Sequence, residues 1–368
     1  MRGSIAKRGD RYMARVDLPR GEGGERRQRT RSFKTRREAE EWVARTVAEV
    51  ANGYTTTDTT TERYLAKWLE AVRGTVRART AENYAANVGR LVGRIGKTPL
   101  GKLTPLEIQH ALSELPREWA PATRRDVYKV LHVALRQAVG WGLIPRDPSA
   151  GVKPPPLTQR ELVVWTEEEA ARFLAAAERN HHHALFRLAL ATGMRQGELL
   201  GLRWQDVNFE ARALYVRHSL TWPSKQAPRL EEPKTRGSRR KIPLDSATVD
   251  VLRTHRKRQL AARLAAGAAW EDHDLVFPNP TGGFMRKKSL GQNMRPICRE
   301  AGVPVIRFHD LRHTHATLLL RAGVSPKVVA ERLGHTSIKM TLDTYSHVLP
   351  DMQEAAVRAL EEVFRGRA

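Results

Sequence analysis

Two breaks in hydrophobic periodicity constrain this chain most. A polar, Thr-rich run covers residues 55–61, and a run containing Pro148, Pro154, Pro155 and Pro156 covers residues 146–159. Neither stretch offers a helix stripe or a strand alternation, so both read as linkers, the second semi-rigid. Between them the chain is expected to pack as three domains: 1–56, 57–150 and 151–368. The 368 residues suffice for that number, and 40% hydrophobic content supplies cores for them.

The first segment reads as a small β-rich domain closed by one helix. Tyr12, Ala14, Val16 and Leu18 alternate with Met13, Arg15 and Asp17, which is a strand pattern. A turn at Gly21-Glu22-Gly23-Gly24 leads to a second strand, 25–33, laden with Arg26, Arg27, Arg29 and Arg31. Thr35 and Glu38 have capping-box spacing. Ala39, Trp42, Val43, Thr46, Val47 and Val50 then recur at helical intervals. A sheet that displays arginines fits a DNA groove, although a solvated face would look the same.

Four helical patterns follow. Leu65, Trp68, Leu69 and Val72 mark the first, and Tyr84, Val88, Leu91 and Ile95 the second. Thr104-Pro105-Leu106-Glu107 opens the third with an N-cap, a proline at the first helical position and Glu at the third. The fourth runs from Thr123 through Val127, Leu131, Leu135 and Ala138. Short connections imply a compact bundle. The last segment is mostly helical, with a capping box at Thr166–Glu169 and strands at 213–217 and 241–244. The fold class is therefore mainly α with small β-sheets. Trp165 and Trp204 read as core aromatics.

Charge narrows the partner. Net charge is +24, and it is not confined to a tail. Residues 1–52 hold 14 Lys/Arg against 8 Asp/Glu, residues 53–150 hold 15 against 9, and the rest 35 against 23. An excess in every segment fits domains wrapped around one duplex. No stretch approaches the ~20 apolar residues of a membrane span, and the first residues lack a signal peptide's apolar core. With a single cysteine, Cys298, no intrachain disulfide forms, so a bacterial-type cytoplasm is expected.

The chemistry-bearing residues all lie in the last segment. Gly193-Met194-Arg195-Gln196-Gly197-Glu198 ends one helix and starts another, placing Arg195 on a turn. Pro233-Lys234 precedes the strand 241–244 and sets Lys234 near a hairpin tip, with Lys225 and Lys241 nearby. His309 and Arg312 are three apart and share a helix face. Leu333-Gly334-His335 follows a helix begun by Ser325-Pro326, and Tyr345 comes last. Two arginines can clamp a phosphodiester, a lysine can protonate a leaving oxygen, histidines can assist, and a tyrosine can attack phosphorus. Neither metal nor cofactor is required. The His181-His182-His183 run is a poor chelator because consecutive residues point apart, and His313 and His315 are no better placed for a metal. Glu198 either supports the site or pairs with Arg203 on a helix surface.

This ordered set resembles the tyrosine recombinase (phage integrase) family, and the resemblance spans the chain. It implies that Arg195 and Arg312 bind the scissile phosphate and Lys234 is the general acid. His309 and His335 would assist, Glu198 would support the site, and Tyr345 would form a 3′-phosphotyrosyl link. It implies an N-terminal arm-type DNA-binding domain and a core-binding helical domain. The expected function is site-specific integration and excision of a prophage or other mobile element, with a tetramer on core and arm attachment sites. An excision factor or a host DNA-bending protein is a candidate helper. Rivals are a type IB topoisomerase-like enzyme and an inactive DNA-binding regulator. Met352, Ala356, Leu360 and Val363 form an amphipathic tail, docking on its own domain or on a neighbour.

Overall fold

The computed structural model describes residues 3–18, 27–51, 59–157, 162–223, 227–232, 237, 239–286, 289–345, 357, 360–361 and 364–365. It divides into two compact units, Met1–Gln159 and Arg160–Ala368.

The first unit begins with an antiparallel sheet of β1 (Gly3–Arg8), β2 (Arg11–Leu18) and β3 (Arg27–Phe33), covered by α1 (Arg36–Ala51). Ala14 and Val16 of β2 are buried with Ala39 and Trp42 of α1. The expected capping box forms: the Thr35 amide donates to Glu38 Oε2 and the Glu38 amide to Thr35 Oγ1, both at 3.3 Å. Strand β1 adds to the expected elements; five of its six residues are exposed, so it carries no alternation to read. Of the expected β3 arginines, Arg31 is exposed and Arg29 half-exposed, and the register says which face they share. Arg31 pairs with Ala14 and Arg29 with Val16, so both lie on the helix-covered side. Arg31 stacks on Phe33 there, 5.4 Å from the ring centre. The open face instead carries Arg8, Arg11 and Arg15, all exposed. The Gly-rich turn at 21–24 lies outside the described residues.

The helical part holds α2 (Thr61–Arg73), α3 (Ala78–Ile95), α4 (Pro105–Ser113) and α5 (Pro121–Gly140). The four expected stripes meet in one core around Trp68, Leu91, Ile108, Leu131 and Leu135. Thr104 and Glu107 cap α4 reciprocally. Both supposed linkers are partly folded. Thr60 caps α2 and Thr61 is buried, while 52–58 lie outside the described residues. In the Pro-rich run, Ser149 and Val152 are buried, Ser149 Oγ meets His132 Nδ1 at 2.8 Å, and Arg125 donates to the Pro155 carbonyl. Side-chain acceptors and a single Val, too sparse for any periodicity, hold this segment down.

The second unit packs α6 (Glu167–Ala177), α7 (His183–Thr192), α8 (Gln196–Leu200), α9 (Ser246–Ala266), α10 (Ser289–Glu300), α11 (Asp310–Arg321), α12 (Pro326–Leu333) and α13 (Ile338–Tyr345). A three-stranded sheet orders β4 (Val207–Asn208), β5 (Ala213–Val216) and β8 (Arg240–Pro243); β6 (Ser219–Thr221) pairs with β7 (Arg229–Glu231). Pairing of β5 with β8 and β6 with β7 nests one hairpin in another. The inner hairpin turns between Thr221 and Arg229, ahead of position 234 in the sequence. Trp165 and Trp204 are core residues as expected.

Candidate active site

Two helix ends build the site. Helix α7 stops because Gly193 takes a left-handed conformation, φ +62, and α12 stops at Gly334 with φ +68. Each stop leaves backbone carbonyls at the negative end of a helix. Arg312, in the first turn of α11, donates from Nη1 to the Gly193 carbonyl at 2.7 Å and from Nη2 to the Leu333 carbonyl at 2.9 Å. Arg195 caps α8 and donates from Nη2 to the Gly334 carbonyl at 3.1 Å. Both guanidiniums are thus locked to turns that are distant in sequence.

Glu198 is buried and accepts from Arg195 Nη1 at 2.8 Å. Its other oxygen accepts from Arg240 Nη2 at 2.9 Å. The surface pairing with Arg203 is therefore not the arrangement found. Arg240 also donates from Nε to the Arg332 carbonyl at 2.6 Å. Arg332 in turn donates to the Ala191 carbonyl at 2.8 Å and to His315 Nε2 at 3.3 Å. His315 Nδ1 lies 2.7 Å from the Leu190 carbonyl, which only accepts, so that nitrogen carries the ring proton. Burial, with Arg332 beside it, lowers His315 to about 4.

Arg195 and Arg240 thus hold one buried carboxylate between them, and Arg312 also feels its charge. Burial, then Arg195, pulls the Arg312 pKa down to about 9, still above neutral pH, so its charge persists. Burial followed by the arginines lowers His335 to about 4, and that ring meets Thr341 Oγ1 at 2.8 Å. An excess of fixed, partly buried cations with neutral histidines is an anion site, matched to the added charge of a phosphoryl transition state.

Tyr345 ends α13 and is buried beside Ala316, Leu320, Val329 and Leu333 of its own chain. Burial pushes its hydroxyl up to about 12 against the pull of Arg312. Its Oη lies 2.8 Å from His313 Nδ1, and His313 meets His309 edge-on with ring centres 5.2 Å apart. The structure therefore gathers Arg195, Glu198, His309, Arg312, His335 and Tyr345, while Lys234 lies outside the described residues. Sequence reasoning missed Arg240, Arg332, His313 and His315. His313 did carry a signal: it follows Arg312 directly and stands one helical turn after His309.

Residues 164–352, just over half the chain, match the Phage integrase family. The chain belongs to the phage integrase family. Residues 3–50 match the Arm DNA-binding domain, and residues 60–115 the N-terminal SAM-like domain of phage integrases. A "Tyrosine recombinase XerC-like" protein of Caldanaerobacter subterraneus is 29% identical over 96% of both chains. The integrase of Saccharopolyspora erythraea is 27% identical over 83% of both. In fold, this integrase is similar to the Tn1549 transposon integrase in complex with transposon right end DNA, at TM-score 0.71 and 23% identity, covering 82% of this chain and 100% of that one. It is also similar to a lambda integrase in a tetramer bound to a Holliday junction, at TM-score 0.60 and 19% identity, over 92% and 94% of the two chains. Its activity is that of a tyrosine recombinase acting on DNA, and neither rival reading is favoured. Among the described residues no helix is long and apolar enough to cross a membrane.

Proposed function

We propose that this integrase carries out conservative site-specific recombination of a prophage or similar mobile element, with Tyr345 as nucleophile. The observation that carries the reading is the seating of Arg195 and Arg312 on two helix-end turns in the same unit as Tyr345. In this reading the two arginines hold the non-bridging oxygens of the scissile phosphate. Tyr345 Oη attacks phosphorus, the bond to the 5′ oxygen breaks, and Lys234 protonates that oxygen. His309 and His335 bond the phosphate, and Glu198 holds Arg195 in place. The bond energy is kept in the 3′-phosphotyrosyl ester, so a 5′ hydroxyl from the partner duplex reverses the step without ATP.

Core-type DNA falls to domain 57–150 together with domain 151–368, and arm-type DNA to domain 1–56, whose open sheet face presents Arg8, Arg11 and Arg15. Four protomers assemble on paired sites, in the bacterial cytoplasm at the nucleoid. The tail residues Val357, Leu360 and Phe364 are exposed, which favours their docking on a neighbour. The test is covalent trapping on a nicked suicide duplex carrying the short repeat that flanks the element. Full-length protein should form an adduct that Tyr345→Phe abolishes while binding DNA normally. Recombination between paired sites, rather than relaxation of any supercoiled plasmid, then separates this activity from a topoisomerase. An adduct surviving Tyr345→Phe would sink the assignment.

A further inference from the structure

The roles assigned so far leave one proton without a destination. Tyr345 must lose its hydroxyl proton as Oη bonds to phosphorus. A phenol is protonated at neutral pH, and burial holds this one more firmly so, which calls for an acceptor within hydrogen-bond reach. His313 Nδ1 does, at 2.8 Å. The geometry is built by α11: its first turn aims Arg312 at the Gly193 and Leu333 carbonyls, and the next residue aims its imidazole at Tyr345. His309 contacts the His313 ring edge-on and is not the residue bonded to Oη.

The protonation states agree. Burial, with His309 next in effect, lowers His313 to about 4, so the ring is neutral at pH 7. Asp310 opposes that shift, Arg312 and Arg307 add to it, and His335 and the Tyr345 hydroxyl also face the ring. A neutral imidazole has one N–H and one lone pair. A base in this position needs the tautomer in which Tyr345 donates, Nδ1 carries the lone pair and Nε2 the proton. A phosphodiester seated on Arg195 and Arg312 brings negative charge that offsets the cations depressing His313, so its basicity rises when substrate is bound.

Resting on the reading of Tyr345 as nucleophile, we propose that His313 Nδ1 is the proton acceptor for Tyr345 in strand cleavage. The Oη–phosphorus bond forms, the bond from phosphorus to the 5′ oxygen breaks, and the Tyr345 proton moves to Nδ1. The 5′ oxygen leaves with its electron pair and takes its own proton from the general acid. In rejoining, the imidazolium returns the proton to Oη as the ester opens.

Single-turnover adduct formation by the full chain on the nicked duplex tests this. His313→Ala should lose ~10²–10⁴-fold in cleavage near neutral pH with DNA affinity retained. His313→Asn should lose as much, because its amide keeps a hydrogen bond to Oη but takes no proton. Both variants should gain about tenfold per pH unit as hydroxide replaces the base, where the wild-type profile is flatter, and added imidazole should restore part of the His313→Ala rate. A His313→Asn rate close to wild type, or a profile parallel to it, overturns the proposal by leaving His313 only a positioning part. Should either variant misfold, nitrogen NMR of ¹⁵N-histidine wild-type protein decides instead: Nδ1 must be unprotonated in the DNA-free chain, and an Nδ1–H tautomer overturns the assignment. An adduct formed by Tyr345→Phe would fail the nucleophile reading itself. An inert Tyr345→Phe beside an active His313→Asn fails this proposal alone.

Discussion

Glu198 Oε2 accepts a hydrogen bond from Arg240 Nη2 at 2.9 Å across 42 residues of sequence, and the two side chains are only 3% and 7% exposed. The pair ties α8 to β8, and through the Arg332 carbonyl to the end of α12. Stranding a buried charge costs ~3–5 kcal/mol; Glu198 would keep Arg195, so loss of Arg240 should fall toward the lower end of that range. Arg240→Ala should show that loss in its denaturant midpoint, together with impaired cleavage. A loss below ~1 kcal/mol would place the pair among weak surface contacts instead.

Glu198 also sets a pH dependence. Burial alone would raise its carboxyl pKa, but Arg240 and Arg195 overcome that and hold it below the ordinary value. A group depressed on folding stabilises above its unfolded pKa, about 4.3 for Glu, and loses that contribution as pH falls through the lower folded value. The unfolding free-energy gap between wild type and Glu198→Gln should therefore be constant above about pH 5 and shrink on further acidification. Urea titrations across this range check it; a gap unchanged into strong acid means the carboxylate is not the stabilised form.

Legibility differed by the kind of interaction. Leu65, Trp68, Leu91 and Leu131 repeat at helical spacing and bury on one side, so the helical core could be read directly. Caps at Thr35, Thr104 and Thr166 are local hydrogen bonds and equally legible. Strand β1 has almost no buried face, and Ser149 is held by Asp147 and His132, so neither leaves a pattern. In the site, Arg195, Arg312, His335 and Tyr345 stood out by their order. Arg240 and Arg332 did not, because each reaches partners far along the chain, and several of those are backbone carbonyls, whose direction no side-chain type records.

Gly193 tests how tightly the clamp is fitted. A Cβ there would stand 2.6 Å from His315 Cδ2 and 2.7 Å from Leu333 Cδ2, at φ +62. Gly302 has a similar φ of +60 with nothing within 4 Å. Both Ala variants take on left-handed strain of ~1–2 kcal/mol, but only Gly193→Ala adds ~1–3 kcal/mol of overpacking. Because the Gly193 carbonyl holds Arg312, Gly193→Ala should lose stability and cleavage while Gly302→Ala cleaves normally. Equal cleavage by the two variants would show that the turn does not position Arg312.

The sheet register gives a prediction for the first domain. Arg11 and Arg15 lie on the open face, whereas Arg31 is folded over Phe33 on the helix side. On full-length attachment DNA, each of Arg11→Ala and Arg15→Ala should weaken binding. Each should also lower the slope of log affinity against log salt by about 0.9 for every phosphate the arginine neutralises. Arg31→Ala should leave the slope alone. The reverse order would put the DNA on the β3 edge.

Lys234 stands in the sequence between β7 and β8, after the inner hairpin has turned. It is the proposed acid for the departing 5′ oxygen. An alkoxide leaves poorly, and a positioned acid typically contributes ~10²–10⁴-fold. Lys234→Ala should therefore cleave ordinary DNA slowly. Replacing the bridging 5′ oxygen with sulfur removes the need for a proton, since a thiol ionises near ~8.5, far below an alcohol. Lys234→Ala should recover most of its cleavage rate on the sulfur duplex. Arg195→Ala should not, because a guanidinium held by Glu198 and the Gly334 carbonyl acts on the charge at phosphorus rather than on the leaving atom. His313→Asn should not recover either, because its defect lies at the nucleophile. A Lys234→Ala enzyme equally slow on both substrates would move the acid elsewhere, to Lys225, Lys241 or His309, and the same sulfur duplex applied to those three variants would identify it.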